Sequence, residues 1–243
     1  RTDEYSPGGK SGFRPDRALS VYVDMVKKSY PNTPVVIGGI EASLRRFAHY
    51  DYWSDSIMPS ILVDTQADML LYGMSETQIK TLAHGLAKGW PIHKIKDIPG
   101  TCYISSSLPK GNKYTLISSF EEVSTEKIKF AEAFQIQSRE QNPFIGSTLV
   151  QKHGDLYLVQ LPPATPLSQS QMDELYRLPF TRTYHPRYKN AGGVPALQEV
   201  EFSVTDHRGC FGGCSFCAIS FHQGRIIQNR SETSVLDEIR LMT

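Results

Sequence analysis

Three cysteines, Cys210, Cys214 and Cys217, stand in the run Arg208-Gly-Cys-Phe-Gly-Gly-Cys-Ser-Phe-Cys217 with the spacing Cys-x3-Cys-x2-Cys. Thiolates this close in sequence form a metal site that needs a fourth ligand. Structural zinc takes four protein ligands in a closed tetrahedron, whereas a cubane iron–sulfur cluster held by three cysteines leaves one iron open to an exogenous ligand. An open iron is a place for chemistry. Gly209, Gly212 and Gly213 let the chain wrap tightly and aim N–H groups at sulfides, and Phe211 and Phe216 interleave with the ligands and restrict water.

A second metal reading is open at this point. His207 extends the pattern to His-x2-Cys-x3-Cys-x2-Cys, a full set of zinc ligands. Disulfides fit less well. The chain has four cysteines, of which Cys102 is remote in an apolar, strand-like run, and three clustered thiols without a secretory segment point to a reducing compartment. Cys102 reads as a buried small hydrophobe.

The elements that must position the loop are legible on both sides. Val200-Glu-Phe-Ser-Val-Thr205 alternates apolar and polar and predicts a strand. Ser231 is an N-cap candidate for a helix with Val235, Leu236 and Ile239 at helical spacing. The expected order is strand, cysteine loop, helix.

A Cys-x3-Cys-x-aromatic-Cys loop after a strand, with Phe216 at the aromatic position, resembles the signature of radical S-adenosylmethionine (SAM) enzymes. The wider string from Arg208 through Arg225 and on to Ser231 resembles the YgiQ-type branch of that superfamily. The resemblance implies a [4Fe-4S] cluster on Cys210, Cys214 and Cys217, with SAM chelating the open iron. It implies reductive cleavage of SAM to methionine and a 5′-deoxyadenosyl radical, and an electron donor such as flavodoxin or ferredoxin. Phe216, Gln223 and Arg225 would lie at the cofactor, although Gln223 and Arg225 read equally well as structural partners of the loop. The substrate, a small molecule or another species, and the catalytic acid or base are not assigned.

Earlier in the chain, an amphipathic helix over 15–30 with Leu19, Tyr22, Val23 and Val26 precedes the apolar run Thr33-Pro-Val-Val-Ile37, closed by Gly38-Gly39. Asp68-Met-Leu-Leu-Tyr72 ends at Gly73, and a second helix covers 76–88. The pattern is that of a doubly wound α/β sheet, in which ligands bind at glycine-bearing strand ends. The runs Val35-to-Ser43 and Ala67-to-Glu76, with Ile98-to-Thr101, are similar to the later half of the cobalamin-binding-like domain that precedes many radical SAM barrels. Gly73-Met-Ser-Glu76 departs from the glycine–acid–glycine–acid form, so a retained fold without cobalamin is expected. The fold class expected is therefore α/β, a partial Rossmann-like domain over 1–105, a connecting α/β segment and Pro-rich linker over 106–195, and the start of a radical SAM (β/α) barrel over 196–243. One strand and one helix do not close a barrel, and the chain opens on Arg1, so a fragment of a longer protein is expected.

The block 40–64, which also matches YgiQ-type proteins, gathers Glu41, Arg45, Arg46, His49, Tyr50, Asp51, Tyr52 and Trp53. It reads either as a substrate surface, with Arg45 and Arg46 holding an anion and His49 moving protons, or as a helix and loop with locally paired charges. Residues 121–137 predict one amphipathic helix, Leu156-Tyr-Leu-Val159 a strand, Leu161-to-Pro166 a stiff connector, and 168–175 a short helix. His153, His185 and His222 read as surface or loop histidines.

Composition excludes rather than selects. With 26 basic and 25 acidic residues in 243, nothing calls for nucleic acid or an anionic membrane. No apolar run of membrane-spanning length and no signal pattern are present, so a cytoplasmic protein is expected. The rival function class is a zinc-stabilised binding module using His207.

Overall fold

The computed structural model describes residues 2–111 and 113–242, which sort into two compact units. Leu19–Pro166 and Gly209–Ile226 form the larger. Leu167–Arg208, with the segments before Leu19 and after Ile226, forms the smaller.

The larger unit begins with α1 (Ala18–Ser29), β1 (Val36–Ile37) and α2 (Gly39–Leu44). A hairpin of β2 (His49–Asp51) and β3 (Ser56–Met58) follows, then α3 (Ile61–Thr65), β4 (Met69–Leu71) and α4 (Glu76–Ala87). The remainder runs β5 (Thr101–Ser105), β6 (Tyr114–Ile117), α5 (Phe120–Thr125), α6 (Lys127–Arg139), β7 (Thr148–His153) and β8 (Leu156–Gln160). Six of the strands form one sheet in the order β1-β4-β5-β8-β7-β6. The β1·β4 and β6·β7 pairs are parallel; the other neighbours are antiparallel.

The expected α/β class, with a partial Rossmann-like arrangement, is what forms. Its parallel core is the β1·β4 pair, joined through α2, the hairpin and α3. Asp68 fixes the register, since its carboxylate accepts the Val35 N–H at 2.8 Å and its own N–H donates to the Val35 carbonyl at 2.8 Å. β4 is apolar without alternation because both of its faces are covered. Leu70 packs with Ile37, Phe47, Cys102 and Leu158 on one side, and Met69 and Leu71 pack with Leu82, Ile92 and Ile95 on the other.

Several local expectations change. On α1, Val23 is buried and Leu19 packs on the core, but Tyr22 and Val26 are exposed. The single helix expected over 121–137 is two helices meeting at Glu126, whose φ of −120° and ψ of 107° are extended. A capping box of Ser119 and Glu122 starts α5, and the Thr125 hydroxyl bonds back to the Glu121 carbonyl at its end, so α5 closes after six residues. The block 40–64 is helix, hairpin and helix rather than helix and loop. His153 is no surface histidine: it lies on β7 with only 5% of its surface exposed.

In the smaller unit, Ser168 and Gln171 make a capping box for the helix Gln169–Tyr176, one residue from expectation. The strand expected over 200–205 does not form. Leu197–Val200 is a helical turn, and the nearby pairing among the described residues is the antiparallel ladder of His207–Arg208 with Gln228–Asn229. The alternating side chains find no layer to bury them within this unit, and Phe202 stays 72% exposed. The last helix, Glu232–Met242, keeps Ser231 at its start, where the Ser231 hydroxyl accepts the Ser234 N–H. Its buried residue is Glu238, not Leu236 or Ile239. Arg230 donates to Glu238 and stacks 4.3 Å over the Tyr176 ring, and Arg182 reaches Glu238 at 2.7 Å. An ion pair therefore anchors this helix where an apolar stripe was expected.

Candidate functional site

The cysteine loop is part of the larger unit and is closed at its base by backbone chemistry. The Cys210 N–H donates to the Gly224 carbonyl at 3.1 Å, and the Gly209 N–H donates to Gln223 Oε1 at 3.1 Å. Gly209 has φ of +84°, and a methyl there would sit 2.1 Å from the Ile226 carbonyl oxygen, so only glycine fits the neck. Gln223 thus serves the loop's closure.

Beyond the neck, the turn Ile219–His222 fastens the loop to the sheet's helices. Phe221 stacks on Phe134 of α6 with ring centres 5.1 Å apart, and Arg225 donates to Ser138 Oγ at 3.0 Å. His222 Nδ1 lies 2.9 Å from Ser43 Oγ of α2, and the same hydroxyl accepts the Gly73 N–H at 3.1 Å. Gly73 follows β4, so the loop is tied to the glycine-bearing ends of the parallel strands. Burial, with the Arg46 charge adding to it, lowers the His222 pKa and keeps its ring neutral.

All three loop cysteines are free thiols, Cys214 exposed and Cys210 and Cys217 half-buried. The Gly212 N–H donates to Cys210 Sγ at 3.4 Å, and the Cys217 N–H to the Cys214 carbonyl at 3.1 Å. A methyl at Gly212 would lie 3.4 Å from Cys210 Sγ and 3.7 Å from Cys214 Sγ. The missing side chain leaves open the space on which two thiols converge. Cys217 lines a cavity beside the loop, and no group of three ligating side chains is gathered among the described residues. By donor chemistry the loop fits a thiolate-held metal centre, with three unoxidised sulfurs, glycine-relieved space and N–H donation to sulfur. Phe216 is 90% exposed beside Cys217. Cys102, by contrast, is fully buried on β5, and burial pushes its thiol up to about 12.

Two cavities flank this junction within the larger unit. One, of about 440 Å³, lies at the ends of β1 and β4 and is bounded by Gly38, Gly39, Gly73, Ser75, Glu76 and His222. That is the strand-end crevice where open α/β sheets bind ligands. The other, of about 280 Å³, lies between the start of the hairpin, the helices α5 and α6, and the 215–218 stretch of the cysteine loop.

The block 40–64 divides in function. Arg45 is neutralised by Glu41 at 3.2 Å and by the buried Asp51 at 3.1 Å, so the expectation that it holds an external anion does not stand. Tyr50 donates to Asp55 at 2.8 Å, and Tyr52 and Trp53 are exposed at the hairpin tip with rings 4.7 Å apart. His49 bonds the Phe47 carbonyl through Nδ1, and burial lowers its pKa. Arg46 is the departure: it is 4% exposed, on a cavity wall, with no ion pair among the described residues. Arg45 and Arg46 look equivalent as adjacent letters, and only their three-dimensional neighbours separate them.

Comparison with known proteins follows the same line. A family profile described as Radical SAM N-terminal matches residues 1–203, a span that ends before the cysteine loop. A UPF0313 protein of Clostridium botulinum (Type A) is 56% identical over 241 residues, which cover 99% of this chain and 37% of the relative. A UPF0313 protein of Clostridium perfringens (strain 13 / Type A) is 50% identical over 244 residues, covering all of this chain and 37% of the relative. The chain thus spans about 37% of the length of the curated relatives it matches. No helix among the described residues is long and apolar enough to cross a membrane.

Proposed function

Because the chain belongs to the Radical SAM N-terminal family, we propose that its cysteine loop holds a [4Fe-4S] cluster through Cys210, Cys214 and Cys217 and serves a radical SAM enzyme. When bound, such a cluster supplies an electron to SAM at its open iron for reductive cleavage of the sulfonium. The chain's own residues do the holding. Gly209 and Gln223 shape the neck, Gly212 clears the space between two sulfurs, and the Gly212 N–H is directed at Cys210 Sγ. Phe216, exposed beside Cys217, is free to pack against the cofactor when it is bound, and Arg225 anchors the loop's far end through Ser138. An electron donor such as flavodoxin or ferredoxin, a reducing cytoplasmic setting and a substrate of unassigned class complete the reading.

The observation that carries this proposal is the convergence of Cys210 and Cys214 on the gap left by Gly212, in a loop latched to the family's own α/β unit. The test is anaerobic reconstitution of the chain with iron and sulfide, followed by chemical assay of both. Iron and sulfide retained by the chain and by Cys102→Ala, but lost from Cys210→Ala, Cys214→Ala and Cys217→Ala, is the expected result. Retention in all three loop variants would remove the proposal.

The zinc-stabilised module is favoured by one observation. Asp206 Oδ1 lies 2.6 Å from His207 Nδ1, an arrangement that would orient Nε2 as a ligand. His207→Ala separates the readings, since it abolishes a four-ligand zinc site and spares a three-cysteine cluster.

A further inference from the structure

Arg46, a lining residue of the cavity beside the cysteine loop, carries a charge with no counter-charge among the described residues. A guanidinium stays protonated at any ordinary pH, and burying it unpaired is unfavourable. Arg46 is buried, yet its partners are all neutral. Nε donates to Gln160 Oε1 at 2.6 Å, Nη1 donates to the Ser43 carbonyl, and the guanidinium lies 4.8 Å over the Tyr72 ring and 5.6 Å from the Phe47 ring. Nη2 makes no hydrogen bond among the described residues. Carbonyl oxygens and ring faces hold the cation in place without cancelling it.

Much of the rest of the wall is apolar, with Gln137 and Ser215 among its uncharged polar members. Phe130, Ala133 and Phe134 of α6, with Phe221 stacked on Phe134, line a space of about 280 Å³ together with residues 215–218. Gln151 is occupied, accepting the Ala48 N–H and donating to the Ser118 carbonyl. His49, the other titratable wall residue besides Cys217 and Tyr50, is kept neutral by burial. The cavity therefore presents one fixed positive charge and a mainly apolar wall.

We propose that this cavity binds a small monocarboxylate with an apolar body, its carboxylate taken by Arg46 and its hydrocarbon or aromatic part packed among Phe130, Phe134 and Phe221. One cation on the wall matches a monoanion; a phosphate ester would bring a second negative charge that no second cation here meets. The site goes beyond the cluster reading and stands without it, because charge and cavity belong to the protein alone.

The probes are phenylacetate and hexanoate, with phenylacetamide as the neutral counterpart of the first, titrated into the metal-free chain by calorimetry and followed by thermal unfolding. Phenylacetate is expected to bind and raise the unfolding temperature. It should exceed phenylacetamide in affinity by roughly ten- to a hundredfold, the worth of a charged hydrogen-bonded pair. Arg46→Met removes that preference, and Ala133→Leu, which fills the cavity while leaving Arg46 in place, removes binding of both. Titration in the metal-free chain keeps this site's failure distinct from failure of the cluster. Equal affinity for acid and amide, failure of both carboxylates to bind, or unchanged phenylacetate binding in Ala133→Leu would each overturn the proposal. The acid-to-amide comparison needs no variant, so it decides even if a substitution prevents folding.

Discussion

Ser43 Oγ and His222 Nδ1 stand 2.9 Å apart across 179 positions of sequence, and through them the cysteine loop is latched to the parallel strands. The hydroxyl accepts the Gly73 N–H, and with His222 neutral it donates to Nδ1. Ser43→Ala would leave a partly buried N–H and a ring nitrogen without their partner, a loss of about 1–2 kcal/mol. Hydrogen exchange should report it locally, as faster exchange over 219–226. Unchanged protection there would mean the latch is incidental.

His153 gives the larger unit an acid-sensitive core. It stacks on Phe120 with ring centres 5.5 Å apart, neither ring nitrogen has a hydrogen-bond partner, and burial pushes its pKa down to about 4. In the unfolded chain the ring titrates near its ordinary value of 6.5. Between those two values the unfolded state binds the extra proton, so stability falls as pH drops from about 6.5 toward about 4, by up to about 3 kcal/mol. Below that range both states are protonated and the loss is complete. Denaturant melts of His153→Phe should show a flatter pH dependence than the parent; parallel curves would contradict the assignment.

Thiol reactivity should divide the four cysteines. Cys102 is fully buried with its thiol pushed up to about 12, whereas the loop cysteines reach solvent. The thiolate is the reactive form, so iodoacetamide under native conditions should label Cys210, Cys214 and Cys217 and spare Cys102 until denaturant is added. Mass spectrometry of tryptic peptides reads this directly. Early labelling of Cys102 would show that β5 is not buried as described.

The smaller unit depends on a buried ion pair. Glu238 receives both Arg230 and Arg182, and the Arg230 side chain is fully buried. Glu238→Leu strands the Arg230 charge and should destabilise this unit by about 3–5 kcal/mol, while Arg230→Met combined with Glu238→Leu should recover most of the loss. A double variant as unstable as the single one would argue that shape, not charge, holds the helix.

How much of this was legible in the sequence depended on how local the cause was. β4 and α4 came within a residue of expectation, and β1 ended at Ile37 as expected but began at Val36 rather than Thr33, because apolar runs stopped by glycine, and a helical period, are properties of short windows. The cysteine spacing was equally local. The hairpin in the block 40–64 and the strands β6 and β7 were not legible, since they exist through pairing with distant segments. Val200 to Thr205 shows the reverse failure: alternation without a burying layer does not make a strand. His153 reads in sequence as a surface or loop histidine, yet β8 draws it into the sheet through its pairing with Leu156. Arg46 was singled out together with Arg45, and only the carboxylates around Arg45 show which of the two remains available.

The central claim is that three thiolates here hold a cluster with an open iron. Anaerobic iron–sulfide reconstitution followed by EPR of the reduced protein, with and without SAM, tests it most directly. The account predicts a four-iron signal that shifts on addition of SAM and persists in His207→Ala. An EPR-silent, zinc-loaded protein that loses its metal in His207→Ala would contradict it.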